Sequence, residues 1–284
     1  MIALDKKWKC QFQNLHTHTT YSDGINTPEE MVLAAIQKGF SSLGFSEHSY
    51  IENIPERWLL PEKTPQYLAE LDRLKEKYAG VIDIFKGIEL DSFSDIDVSG
   101  FDYIIGNVHF CPMWDGGYME YCHSPWYTTE KLIFYYTFDI AQFARDYYDR
   151  YVSFFENSKV HIDIAGHFDV VTKFAETYPK AYNFDFPKYR DLALEAIRAV
   201  KQKCDLFEVN AGHMGRLQRS VPCPEPFLLK ELKNIGARVC VTTDAHAITY
   251  LDRCVDETLE LLLSCGFKEV TILTKDGFVE QKII

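Results

Sequence analysis

The residues best suited to chemistry in this chain are imidazoles and carboxylates that close short apolar runs. Near the amino terminus, "NLHTHTTYSDG" (residues 14–24) carries His16 and His18 two apart, with Asp23 in a Ser-Asp-Gly turn behind them. Later runs end in the same way. His48 follows "GFSE", Glu89 closes "IFKGIEL", His109 closes "IIGNVH", His167 ends "IDIAGH", and Asp244 and His246 end "VCVTTDAH". On a strand, residues i and i+2 face one side, about 6.5 to 7 Å apart at the backbone, so two imidazoles can tilt onto one ion. A single histidine at a strand end is more often a hydrogen-bonded structural group than a ligand, and one His-x-His pair also arises by chance. The repetition decides between these readings: many strand ends carrying ligand-type residues point to one shared site.

Imidazoles and carboxylates without thiolates suit Zn, Mn or Fe in a hydrolytic site better than a structural zinc of the cysteine type. Four protein ligands already close a structural zinc site, so this many imply two or three ions with open positions.

Such residues converge only if the runs are neighbouring parallel strands. The chain alternates short apolar runs with helical patterns, which is the signature of a parallel α/β architecture. In a barrel or open parallel sheet all carboxyl ends of strands share one rim, where active sites are assembled. The stretch "NTPEEMVLAAIQKGF" reads as a helix with Thr27 at the N-cap, Pro28 in the first turn, Glu29 and Glu30 at the positive end of the dipole, and Gly39 closing it. Further helices fit 64–79, 129–156, 187–203, 225–235 and 250–265. Strands fit "SLGFSEH", "VIDIFKGIEL", "FDYIIGNVHF", "VHIDIAGHFD", "DLFEVNAG", "RVCVTTDAH" and "EVTILT". The aromatic stretch within 129–156 reads as a buried packing helix. The loops 49–63 and 111–128 are long, and the second is a possible lid. One domain over residues 1–284 is the simplest organisation.

Composition limits the partners. The 42 acidic residues against 30 basic ones give a formal charge of −12, which disfavours a surface that tracks nucleic acid but allows a small anion in a local basic pocket. The 8 cysteines are scattered without a C-x-x-C pair and read as reduced thiols of a cytoplasmic protein. The start "MIALDKKWKCQFQ" has no apolar leader core and no stretch reads as a membrane span. Nothing in the sequence sets an oligomeric state.

The set "HTHTTYSDG", "GFSEHS", "GIEL", "GNVHF", "IAGHFD" and "TTDAHA" resembles the polymerase-and-histidinol-phosphatase (PHP) superfamily, and its spacing is most similar to the histidinol-phosphatase branch. The resemblance runs from residue 14 to about residue 250. It implies a single-domain, distorted, TIM-like (β/α)7 barrel with a trinuclear metal site at the carboxyl ends of the strands. It also implies hydrolysis of L-histidinol phosphate to L-histidinol and phosphate, in histidine biosynthesis, by a hydroxide bridging two ions. Carried onto this chain, His16, His18, Glu89 and Asp244 would hold the first ion. Glu89 would bridge to a second ion completed by His109 and His167, and Asp23, His48 and His246 would hold the third. Asp23 has an alternative reading as a plain turn residue.

The likeness weakens around "EVNAGHMGRLQRSVPCPEP", where Arg216 best matches a phosphate-clamping arginine, with Arg219 as the alternative and Lys173 as a second clamp. His213 is a further substrate contact, and Asp244 or His246 the group that serves the leaving oxygen. His123 and His161 read as structural. Two other readings stand beside this one: a related phosphoesterase acting on nucleotides, oligonucleotide ends or phosphotyrosine, and a metal-binding module without activity. A missing ligand would mark the last, and none is missing.

Overall fold

The computed structural model describes residues 8–52, 54, 57–185, 188–216 and 218–284. Local signals set its first elements. β1 (Gln13–Asn14) leads through the His-x-His stretch to α1 (Pro28–Gln37). Thr27 caps that helix: its side chain accepts from the Glu30 amide, and the Glu30 carboxylate accepts from the Thr27 amide at 2.8 Å. Two otherwise orphaned donors are thereby satisfied. Gly39 leaves the helix at φ +77°, a conformation that suits glycine.

β2 (Ser42–His48), α2 (Thr64–Lys77), β3 (Asp83–Asp91) and β4 (Tyr103–Asn107) follow, then a hairpin of β5 (Phe110–Pro112) and β6 (Tyr118–Glu120). α3 (Pro125–Tyr136) and α4 (Ile140–Asn157) precede β7 (Ile164–Ala165) and α5 (Tyr189–Lys201). Next come β8 (Leu206–Asn210), α6 (Gly212–Gly215), α7 (Pro226–Asn234) and β9 (Arg238–Thr242). α8 (Val255–Ser264) and a last hairpin, β10 (Glu269–Thr274) with β11 (Gly277–Lys282), complete the chain.

Seven strands form one parallel sheet in the order β1-β2-β3-β4-β7-β8-β9. Its edges meet just beyond the strands, where Thr17 and Ala245 form a parallel bridge. There the His18 amide donates to Ala245 O at 2.9 Å and the Ala245 amide to His16 O at 3.1 Å. The sheet is thus a nearly closed α/β barrel, the expected class.

The two-residue period of the strands sorts its interior. One face of β3 carries Phe85, Gly87, Glu89 and Asp91. The same face of β4 and its continuation carries Tyr103, Ile105, Asn107 and His109, while Leu206, Glu208 and Asn210 follow on β8 and Cys240, Thr242 and Asp244 on and after β9. The apolar members, with Leu15 and Ile164, pack into one buried cluster, and the polar members occupy the carboxyl ends. The barrel therefore has an apolar floor and a polar rim. Tyr103 fills the floor so fully that a Cβ on Gly44 would lie 2.3 Å from its hydroxyl and one on Gly87 2.2 Å from its ring. The opposite faces, including Leu43, Phe45, Ile88, Phe207 and Val239, pack against the helices in the larger core. Each such side chain stabilises by about 1.5–3 kcal/mol when fully buried.

Several expectations need correction. The stretch 129–156 is two helices, because Thr137 and Phe138 adopt φ of 51° and 62° and Asp139 then caps α4 through the Gln142 amide at 3.0 Å. Local turn and cap chemistry overrides the continuous aromatic pattern. The second of these helices does pack as read, yet it also positions the site: Tyr147 donates to Phe168 O at 3.0 Å and Tyr151 to Gly166 O, the two neighbours of His167.

The helix expected over 250–265 starts only at Val255, since Cys254 is left-handed with φ 58°. "FDYIIGNVHF" divides into β4 and β5, and "EVTILT" forms β10 in an antiparallel hairpin outside the barrel sheet. The expected lid, 111–128, is most of the β5–β6 hairpin and the start of α3. Pro187, at the start of the helix expected over 187–203, lies outside the described residues, as do Asn53, Pro55 and Glu56 of the loop 49–63 and residues 1–7 of the expected single domain. Among the described residues no helix is long and apolar enough to cross a membrane.

Candidate metal centre

Glu89 is the hub of the polar rim. β3 presents it inward, 1% exposed, and its two carboxylate oxygens face different sets of histidines. Oε1 lies 3.2 Å from His109 Nε2 and 3.0 Å from His167 Nε2. Oε2 lies 3.3 Å from His16 Nε2, 3.5 Å from His18 Nε2 and 2.6 Å from His48 Nδ1. Asp244 joins the Oε2 set across the barrel seam, with Oδ1 3.2 Å from His18 Nε2 and 3.6 Å from His16 Nε2.

Asp23 completes a further group. Its oxygens lie 3.3 Å from His246 Nε2, 3.7 Å from His48 Nε2 and 3.8 Å from His18 Nδ1. The turn that carries it is pressed onto the strand end: a Cβ on Gly24 would lie 2.3 Å from His18 O. Buried Glu47 holds the turn by accepting from the Thr19 amide at 3.0 Å, from the Thr19 hydroxyl at 2.5 Å and from the Ser22 hydroxyl.

Every metal ligand expected from the sequence therefore lies at one rim. Among the described residues three groups have ligand atoms within 4.8 Å of one another: His16, His18 and Asp244; His48, Glu89 and His109; and His18, Asp23, His48 and His246. His18 and His48 enter two groups because each imidazole has two nitrogens. His167 stands against Glu89 and, at 3.3 Å, against His109 Nε2.

The donor set fits divalent ions on a further observation. His16 Nε2 and both nitrogens of His18, which face Glu89, Asp244 and Asp23, are buried without a hydrogen-bond partner. An unsatisfied buried polar group costs about 1–3 kcal/mol, and several aimed into one cluster are what a cation would satisfy.

Charge supports the same conclusion. Burial opposes ionisation of Glu89 and Asp244, but His48 and His16 beside the first, and Arg216 and His16 beside the second, hold both carboxyls well below their usual range. Burial also works against a charged His16, yet the carboxylates of Glu208, Glu89 and Asp244 outweigh it and raise its pKa well above the usual value. His18 goes the other way, to about 3, through burial and the neighbouring His246 and His48. Glu89 and Asp244 thus stay ionised and draw His16 towards its charged form, while His18 keeps neutral nitrogens turned inward.

A layer of residues beyond the expected ligands fixes the geometry. Glu208 Oε1 binds His16 Nδ1 at 2.5 Å while its Oε2 accepts from the His167 amide at 2.6 Å. Asp91 lies 3.2 Å from His109 Nδ1, and Asn107 donates to Glu89 Oε1 at 2.6 Å. Such partners set the tautomer and orientation of metal-binding imidazoles. Glu208, Asp91 and Asn107 were not among the expected site residues. Their signal was present in the two-residue alternation of "GIELD", "IIGNVH" and "LFEVN".

The rim opens into a cavity of about 230 Å³ that brings together Asp23, His48, Glu89, His109, His167, Asp244 and His246 with Lys173, His213 and Arg216. Arg216 donates to Asp244 O at 2.8 Å and to Asp244 Oδ2 at 3.0 Å. Lys173 donates to Cys122 O at 2.8 Å. His213 is 2% exposed, and burial together with Lys173 and Arg216 holds it well below the usual imidazole range, hence neutral.

Arg219 is not among the cavity residues. It lies buried 3.0 Å from Glu225 and 3.8 Å from Asp169, and burial against these two carboxylates explains why a second arginine only three residues away turns inward. His123, read as structural, lines the cavity, whereas His161 is at the surface with its side chain 82% exposed. A larger groove of about 820 Å³ beside Phe93 and Arg150 contains no histidine. Chemistry rather than volume identifies the site.

A nearly closed α/β barrel with this rim defines a metal-binding barrel protein. The PHP domain model matches residues 14–212, and the chain belongs to that family. A protein of Deinococcus radiodurans named "Probable histidinol-phosphatase" is 28% identical over 244 residues, covering 81% of this chain and 85% of the relative. The crystal structure of a Listeria monocytogenes protein superposes with a TM-score of 0.76 at 18% identity, covering 87% of this chain and 99% of the other. The structure of histidinol phosphate phosphatase from Lactococcus lactis, complexed with Zn, L-histidinol and phosphate, gives a TM-score of 0.63 at 20% identity and covers 94% and 98%. These two structures show that the fold is shared.

Proposed function

We propose that this chain is a metal-dependent phosphomonoesterase whose substrate is L-histidinol phosphate. The observation that carries the reading is Glu89, whose two oxygens divide the histidines into two sets beside a cavity walled by Arg216, Lys173 and neutral His213. The named function of the Deinococcus relative, and the ligands bound to the Lactococcus protein, supply the substrate.

We assign His16, His18, Asp244 and one Glu89 oxygen to a first ion. The other Glu89 oxygen, His109 and His167 serve a second, and Asp23, His48 and His246 a third, with Zn, Mn or Fe as the metal. Bound there, divalent ions supply Lewis acidity and a water of lowered pKa. The chain's residues do the rest. Glu208 and Asp91 keep His16 and His109 turned inward. Arg216, anchored on Asp244, offers a planar guanidinium to phosphate oxygens, and Lys173 adds a point charge. Both residues weighed for the leaving oxygen line the cavity, Asp244 engaged by Arg216 and His246 Nδ1 against Asp244 O at 3.0 Å. The β5–β6 hairpin, with Glu120 at its end and Cys122 and His123 just beyond, covers one side of the cavity as a wall or lid.

Phosphate release by metal-reconstituted protein over a panel of phosphomonoesters tests this. Histidinol phosphate should exceed nucleotides, phosphotyrosine and p-nitrophenyl phosphate in kcat/KM by about tenfold or more. A preference for a nucleotide or phosphotyrosine would replace the substrate. No release from any ester would remove the activity.

A further inference from the structure

Four carboxylates line the cavity: Asp23, Glu89, Asp244 and Glu120. The first three belong to the groups that could hold ions. Glu120 belongs to none and instead ties up Arg57, a cation that also lines the cavity and would otherwise serve a phosphate dianion. A carboxylate there weakens the hold of Arg216 and Lys173 on phosphate unless the substrate brings a positive charge of its own.

Its placement is specific. Glu120 ends β6, opposite Phe110 in the hairpin, and the next residue, Tyr121, donates its amide to His109 O at 2.8 Å. The strand carrying Glu120 is therefore fastened to the backbone of a residue in the rim. The residue is 8% exposed, and its carboxylate accepts from Arg57 at 2.8 Å. The Arg57 side chain, by contrast, is 41% exposed. An ion pair with one solvent-facing member is weak and readily exchanged. A carboxylate also has about four lone-pair sites, more than one guanidinium contact fills.

We infer that Glu120 is a specificity-determining residue that receives an ammonium or similar cationic group on the alcohol part of the substrate, replacing or sharing the contact with Arg57. The inference rests on the phosphomonoesterase reading above and sharpens it: the substrates are phosphomonoesters that carry a positive charge a few bonds from the ester oxygen.

The test uses the full-length, metal-reconstituted protein and two esters of equal size, 3-aminopropyl phosphate and butyl phosphate. The wild type should favour the amino ester in kcat/KM by about tenfold, the worth of one hydrogen bond to a charged group. In Glu120→Gln that ratio should collapse towards one, mainly through KM for the amino ester. Arg57→Ala, a change at a half-exposed position, frees the carboxylate and should raise the ratio. A Glu120→Gln protein that keeps the wild-type ratio overturns the assignment, and so does an Arg57→Ala protein whose ratio falls. Turnover of both esters by the wild type without preference sinks the subsite and leaves the phosphatase reading intact. No turnover of any phosphomonoester sinks the reading and the subsite with it.

Discussion

Two buried ionic clusters lie on either side of the cavity wall, and they are built on opposite principles. At the rim, His16 Nε2 and both nitrogens of His18 are buried without hydrogen-bond partners. Behind the wall, Arg219 sits between Asp169 and Glu225, and its guanidinium also donates to Cys223 Sγ at 3.0 Å. The second cluster neutralises itself, whereas the first is complete only with added cations. Burial of charge is common to both, so burial does not mark function here. Function is marked by several unpaired ligand nitrogens gathered within reach of one another, where the second cluster leaves only Asp169 Oδ1 without a hydrogen bond.

The largest effect that follows is on turnover at the rim. Glu89→Gln removes one of the two charged oxygens that join the histidine sets, so turnover should fall on the order of a thousandfold. The far-ultraviolet circular dichroism should stay as in the wild type. Near-normal turnover with full metal content in that variant would erase the distinction between the clusters. The self-neutralised cluster should respond in stability instead. Arg219→Leu strands the carboxylate of Asp169, fully buried, and should cost about 3–5 kcal/mol in urea unfolding. A variant that unfolds like the wild type but loses phosphate binding would move Arg219 into the cavity.

The smallest effect is a pH dependence. Burial and the adjacent Asp169 raise the Glu225 carboxyl from 4.5 to about 7. The folded-state value lies above the unfolded one. Its contribution is therefore fully present below about 4.5 and is lost as pH rises through about 7. Glu225→Gln should flatten the stability profile between those values, as measured by thermal melts of metal-free protein at several pH values. An unchanged slope would mean that the pair with Arg219 already keeps Glu225 charged.

The rim was legible in the sequence because each of its ligands ends an apolar run, and parallel strands must bring their carboxyl ends together. Asp23 was legible only through the family likeness, since its local sequence is an ordinary turn. The supporting carboxylates were not visible. Asp91 and Glu208 look like solvated charges until the sheet register turns them inward, and Glu47 until the turn carrying Thr19 and Ser22 closes over it. Arg216 and Arg219 lie three positions apart, and no periodicity distinguishes them. The distinction comes from Asp169 and Glu225, which the chain delivers from distant positions. The cavity wall was hidden for a similar reason: His123 and Glu120 depend on a hairpin whose strands are three residues each.

The seam of the barrel has a consequence for the life of the chain. His16 and His18 lie at the first strand and Asp244 and His246 just past the last, joined in the backbone by the Thr17–Ala245 bridge. His18 and Asp244 lie 226 positions apart in the chain. At ordinary rates of translation that is roughly 10 to 45 s between the emergence of one half and the other. The nascent amino-terminal half cannot assemble the proposed site, so loading with metal would be a late event, and ions held there would act as a clasp fastening the first strand to the last.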